Sequence, residues 1–301
     1  HVGQTEFDNV AYIICDVEPL AKELFEADYN IPRILLTLKA ITGTNIEAGK
    51  TLIIFDELQE VERGLHSLKY FQENAPEYHV MAAGSLLGIT LGKGQSFPVG
   101  KVNTMHLYPM DFEEFLMAAG ETDLCNLLHQ PDWEILKILS SKYIYLLRQY
   151  YYVGGMPEVV DSFFQHQNLQ EVRDKQSEIL DAYRRDISKH TTPTESMRIG
   201  QVLQSLPSQL AKENKKFIYN VLKKGARATE YELAIQWLMD AGLVHKVSRV
   251  KELQMPVKFY EDLSAFKLFL LDCGLLGCMV EAPASQMLIG DNIFKEFKGA
   301  F

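Results

Sequence analysis

Residues 51–57 read Thr-Leu-Ile-Ile-Phe-Asp-Glu, four consecutive apolar side chains that end on two adjacent carboxylates. A strand with one wet face alternates apolar and polar residues. An unbroken apolar run is covered on both faces, as in a parallel sheet flanked by helices. The surrounding sequence supplies the rest of such a sheet. NVAYIICDV (9–17) is a β-branched and aromatic run of strand length, and YHVMAAGS (78–85) reads as another buried strand ending on Gly84 and Ser85. Helical patterns separate them: EPLAKELFEA with proline at its second position, RILLTLKAITG ending on Gly43, and GLHSLKYFQENAP stopped by Pro76. Strand and helix in alternation with short connections predict an α/β fold with a parallel, doubly wound sheet. Such sheets bind ligands beyond the carboxyl ends of their strands, the edge that would hold Asp56, Glu57 and Ser85.

Two acids at that edge have a chemical reading and a bland one. Four apolar residues followed by Asp-Glu is the Walker B pattern: the first carboxylate helps hold a hydrated Mg²⁺ on phosphate oxygens, and the second orients or deprotonates the attacking water. An Asp-Glu after a strand also commonly just opens a solvated loop. Ser85, at the tip of the next strand, has the place and polarity of a sensor-1 residue and favours the nucleotide reading.

Composition narrows the alternatives. At 301 residues, 47% hydrophobic and 23% charged, the chain has length for about two domains. Its longest C-terminal apolar stretch, AFKLFLLDCGLLGCMV, is interrupted by Lys267 and Asp272 and falls short of the roughly 20 apolar residues of a membrane span. No basic-then-apolar leader follows His1, so a cytoplasmic location is expected and no membrane partner. The four cysteines, Cys15, Cys125, Cys273 and Cys278, form no C-x-x-C pair and suit reduced thiols. The scattered histidines give no finger-like spacing, so no zinc is expected. A formal net charge of −10 argues against a chain coated in nucleic acid while leaving room for one local basic patch.

Five segments, LIIFDELQEVERGLHSLKYF, AAGSLLG, LYPMDFEEFL, YYVGGMPEVV and AFKLFLLDCGLL, occur in this order. Together they resemble the prokaryotic AAA+ (STAND-like) ATPases that carry a C-terminal, nuclease-like domain of unknown function, and the resemblance covers nearly the whole chain. It implies an AAA+ core over 1–112, a helical lid over 113–190, a winged helix over 191–255 and the start of the C-terminal domain over 256–301. It further implies ATP and Mg²⁺ as cofactors, Asp56 as the Mg²⁺-linked Walker B aspartate, Glu57 as the catalytic glutamate and Ser85 as sensor 1. GGMPE (154–158) matches a signature of the family's lid.

The departures matter equally. A phosphate-binding P-loop needs G-x-x-x-x-G-K-[ST], and none of the 301 residues form one. HVGQT (1–5) looks like the end of the helix that would follow such a loop. The expectation is therefore an incomplete P-loop NTPase sheet, truncated at both ends and binding ATP weakly or not at all by itself. A slot is expected beside the strands that would flank the strand preceding the P-loop.

Several further residues are weighed against simpler roles. Lys93 and Lys101 in GKGQSFPVGKV, and Arg63, are candidates for contact with a neighbour's nucleotide, though glycine with lysine usually makes a solvated loop. Asp111 is expected to cap a helix carrying Phe112, Phe115 and Leu116 inward. The tyrosines of KYIYLLRQYYYVGGMPEVV are read as lid core ahead of base-stacking groups. AYRRDISKH (182–190) is read as a hinge into the next domain. Residues 195–250 have the layout of a winged helix, with Lys215, Lys216, Lys223, Lys224 and Arg227 as candidate DNA contacts. Two functions stay open: an ATP-hydrolysing molecular switch, and a non-catalytic DNA-binding or interaction module acting through the winged helix. Candidate partners are ATP, DNA and further copies of the chain.

Overall fold

The apolar run at 51–55 is the middle of a three-stranded parallel sheet in a computed structural model that describes residues 2–26, 28–61, 63–84, 100–211 and 216–289. The chain divides into two compact units, 1–106 and 107–301.

In the first unit, α1 (Val2–Thr5) leads into β1 (Asn9–Ile14), followed by α2 (Pro19–Glu26), α3 (Ile31–Thr42), β2 (Thr51–Asp56), α4 (Gly64–Asn74) and β3 (His79–Ala82). The strands run β1-β2-β3, with Ala11 beside Ile53 and Ile53 beside Val80. Three helices cover one face. Phe25 of α2, Ile34 and Leu38 of α3 and Phe71 of α4 close over Ala11, Ile13, Ile53 and Phe55, all essentially buried. Helix α3 begins where the Asn30 side chain accepts from Arg33 N, and ends at Gly43, whose left-handed φ of 67° lets its N–H reach the Lys39 carbonyl.

The opposite face is covered only in part among the described residues. Gly3 of α1 lies against Val10 and Leu52, leaving no room there for a side chain, and Leu52 is buried. Further along the strands Tyr12 and Met81 are about half exposed, at 48% and 50%. β3 alternates exposed and half-buried positions, which corrects the expectation of a buried strand. Its apolar composition is that of a covered strand, but it is an edge strand with no described helix over its second face. β1, β2 and β3 are bonded in order without a gap, and among the described residues the outer edges of both β1 and β3 carry no further strand.

The second unit opens with α5 (Phe112–Ala118), capped as expected. Asp111 accepts from Glu114 N at 2.9 Å and the Glu114 carboxylate accepts from Asp111 N at 2.9 Å, a reciprocal capping box. There follow α6 (Thr122–His129), α7 (Trp133–Val153), α8 (Pro157–His166), α9 (Leu169–His190), α10 (Pro193–Leu210), α11 (Ala228–Asp240), β4 (Val244–Val250), β5 (Glu261–Leu270), α12 (Cys273–Met279) and α13 (Ala284–Leu288). Two expectations change here. Residues 182–190 form no hinge: α9 passes through them unbroken as part of a 22-residue helix. The chain also does not divide at 255/256, because β5 pairs antiparallel with β4, and Leu275 and Leu276 of α12 share a core with Ile199, Leu206 and Leu238.

The Gly-Gly turn between α7 and α8 is held by a residue 117 positions away. The buried Asp272 carboxylate accepts from Gly155 N at 2.6 Å and from Leu275 N at 2.8 Å, so it caps α12 and clamps the turn at once. The Gly155 carbonyl accepts from Met110 N at 2.7 Å. A methyl on Gly154 would overlap the Asp272 carboxylate, and one on Gly155 would overlap the Met110 carbonyl. Burial pushes the Asp272 carboxyl up from its ordinary value, opposed by the N–H donors of Gly155 and Leu275. Arg173 of α9 packs into the same junction, 3.9 Å over the Tyr152 ring, donating to Gln176 Oε1 at 2.6 Å, Gly274 O at 3.2 Å and Ala282 O at 3.1 Å. Tyr150 and Tyr152 of α7 serve this core: Tyr150 donates to Met110 O and Tyr152 to Leu169 O.

Candidate functional site

β2 leaves the core at Asp56, and the chain turns at once. Glu57 is left-handed, with φ 51°, a conformation that costs a non-glycine residue roughly 1 kcal/mol or more. A 3₁₀ turn over Leu58–Glu60 follows, anchored by fully buried Leu58. Beyond the regular strands, Ala83 N donates to Phe55 O at 2.8 Å and Leu58 N to Ala83 O at 3.3 Å. These bonds bring the chain leaving β3 alongside the two acids. Ser85, the expected sensor, lies outside the described residues, one position beyond Gly84.

The Asp56 carboxylate accepts from the Tyr12 hydroxyl of β1 and, at 3.1 Å, from Glu57 N. The Glu57 carboxylate accepts from the side-chain amide of Gln59. The hydrogen bond to Asp56 raises the Tyr12 pKa, with smaller contributions from burial and from the charges of Asp56 and Glu57. Cys15, buried beside the same strand end, is pushed up to about 12, first by burial and then by the charge of Asp56. At neutral pH it is a thiol packed in the core, not a nucleophile. Tyr12 was missed by sequence reading, although strand alternation signals it. In parallel register Tyr12 faces Ile54 and Ile14 faces Asp56, so Tyr12 and Asp56 stand on one face two positions apart.

Both carboxylates offer acceptor-only oxygens at a fixed strand end, the donor type a hydrated Mg²⁺ takes. The sequence holds no G-x-x-x-x-G-K-[ST] phosphate-binding motif to accompany them. An open cleft of about 390 Å³ in the same unit, lined by Ile31, Leu35, Lys39, Ile46 and Tyr78, lies where β2 and β3 begin, at the opposite edge of the sheet.

The remaining candidates sit elsewhere. Lys101 pairs with Glu73 at 3.3 Å, and Arg63 stacks on Tyr29 and bonds its hydroxyl. Lys93 and Lys215 lie outside the described residues. Lys216, Lys223, Lys224 and Arg227 belong to the second unit and are exposed, in the segment between α10 and α11. α11 itself turns Glu232, Leu233, Gln236 and Asp240 to solvent. In the second unit Glu113, Cys125 and His129 bring one potential ligand atom each within 4.8 Å of one another. No helix of the described residues is long and apolar enough to cross a membrane.

Residues 1–116 match the family profile of an AAA domain, and residues 144–286 match that of a domain of unknown function, DUF8612. The first match spans the whole three-stranded sheet with its Asp56-Glu57 edge and makes this segment AAA-like. No curated protein matches the chain. Among solved structures, the Walker-type ATPase PABY2304 of Pyrococcus abyssi is similar over 87% of this chain and 71% of its own, at 11% identity and a TM-score of 0.49. A likeness that loose carries no functional argument.

Proposed function

We propose that the first unit is the acid half of an AAA+ ATP site, with Asp56 holding the water shell of Mg²⁺ and Glu57 positioning the attacking water. The observation that carries this reading is the pair itself: two carboxylates fixed at the end of a buried central strand, within the segment that matches an AAA domain. The left-handed backbone at Glu57 supports it, because strain of that kind is kept where a side chain must be aimed. Ser85 would contact the γ-phosphate or the lytic water. When bound, Mg²⁺ would supply charge neutralisation on the phosphates. The chain's own part is to orient water and accept its proton at the Glu57 carboxylate. The second unit, with α5–α9 as a lid and α10–β5 as a winged helix, would then report the nucleotide state.

The test uses the gene product that contains this segment. Glu57→Gln should retain ATP binding while turnover falls about 10²- to 10⁴-fold, the range for losing a positioned general base. Turnover unchanged in that variant would discard the role of Glu57, and loss of ATP binding would mean the residue holds nucleotide instead.

A second reading is carried by a different observation. Lys216, Lys223, Lys224 and Arg227 are exposed within twelve residues that contain no acid, next to a layout of helices and hairpin that suits a winged helix. With acids on the outer face of α11, the contact would be with phosphates from the preceding segment, without reading of bases. Duplex DNA should then be retarded in a gel at low salt, with retention falling steeply as salt rises. No shift at low salt removes this reading.

A further inference from the structure

The α5–α6 hairpin gathers three side chains of unlike chemistry. Glu113 lies in the first turn of α5; Cys125 and His129 are four residues apart on α6 and so point from one face. One ligand atom from each, a carboxylate oxygen, the Cys125 sulfur and an imidazole nitrogen, all lie within 4.8 Å of one another. His129 Nε2 is 3.0 Å from Glu113 Oε2. Cys125 is buried beside Leu116, Leu124 and Leu146, so the sulfur enters from the core side, while the His129 and Glu113 side chains remain 62% and 40% exposed.

We propose that these three residues bind a borderline-soft divalent cation, by ligand class Zn²⁺, with water in the fourth position. A sulfur, nitrogen and oxygen donor set selects against Mg²⁺ and Ca²⁺, which take oxygen alone. Bond lengths of about 2.3 Å to sulfur and 2.0–2.2 Å to nitrogen and oxygen set tetrahedral donors roughly 3.3–3.8 Å apart. The present spacing therefore needs only a small contraction. The two ligands that must turn, Glu113 and His129, are the exposed ones, and solvent on that side supplies the water. The ordinary role of the cluster would be a surface His–Glu ion pair over a buried thiol, worth little to stability. What sets it apart is the sulfur brought to the same point, on a hairpin whose short link from Ala118 to Thr122 already fixes the two helices.

The site belongs to the second unit and stands or falls separately from the ATP reading. The chain, stripped with chelator, is titrated with Co²⁺ and then with Zn²⁺. The expected result is one Co²⁺ per chain, a sulfur-to-cobalt charge-transfer band in the near ultraviolet, and its displacement by Zn²⁺. Cys125→Ser should abolish the band. His129→Gln and Glu113→Gln, at surface positions where folding is not at stake, should each weaken Zn²⁺ binding by about tenfold or more. Absence of the band, or Zn²⁺ binding that both surface variants leave unchanged, overturns the proposal.

Discussion

Gly155→Ala should destabilise the second unit by about 4 kcal/mol or more, a size reached by few single substitutions. The added methyl falls on the Met110 carbonyl, a backbone atom that cannot rotate aside. Moving the turn to relieve the overlap stretches two bonds that depend on its position, Gly155 N to Asp272 at 2.6 Å and Met110 N to Gly155 O at 2.7 Å. The first is a bond to a buried carboxyl, and leaving such a group short of a donor costs about 1–3 kcal/mol by itself. Urea unfolding followed by circular dichroism measures the loss. Gly200→Ala is the matched control: Gly200 lies inside α10 with nothing within 4 Å of an added methyl, so alanine there should stabilise by roughly 0.5–1 kcal/mol. If the two alanine variants lie within 1 kcal/mol of each other, the Gly-Gly turn does not hold the junction together.

Arg173→Met should cost about 2–4 kcal/mol, and Arg173→Lys should recover little of it. The guanidinium donates to Gln176, Gly274 and Ala282 from one planar group while stacked on Tyr152. Methionine fills much of the volume and satisfies none of the acceptors. Lysine keeps the charge, but its compact ammonium cannot span acceptors on α9, on α12 and in the link after α12 or lie flat on the ring. Burial lowers the Arg173 pKa, as expected for a cation valued for its hydrogen bonds. Midpoints of urea unfolding for both variants decide. A lysine variant as stable as the parent would show that charge alone suffices.

Much of the first unit was legible because its signals are local. The run 51–55 gave the central strand and Gly43 and Pro76 marked helix ends, and in the second unit Asp111 marked a helix start. What failed was whatever depends on distant neighbours. β3 has the composition of a covered strand, yet only its place at the edge of the sheet decides its exposure. The hinge expected over 182–190 rests on resemblance to the family, and nothing local to that stretch stops the helix, which simply continues. The Gly-Gly-Met-Pro signature was visible, but its reason was not, since the carboxylate that clamps it stands 117 residues further on. The approach of Glu113 to Cys125 and His129 was invisible as well, since Glu113 sits on the preceding helix. Of the candidate ATP site, the sequence showed Asp56 and Glu57 by their position after the strand. Tyr12 needed the parallel register that seats it beside Asp56.

The continuity of α9 has a mechanical consequence. At 1.5 Å per residue its 22 residues form a rod about 33 Å long. Val172 near one end is set in the core that contains Phe115 and Phe163, while Leu180 and Ile187 toward the other end are set in the core that contains Leu206 and Leu238. A rod gripped in two packed cores has no joint at which to absorb a rotation. A displacement of the core around Phe115 therefore has no described break in α9 at which to be separated from the core around Leu206, and the two cores share one stiff spine.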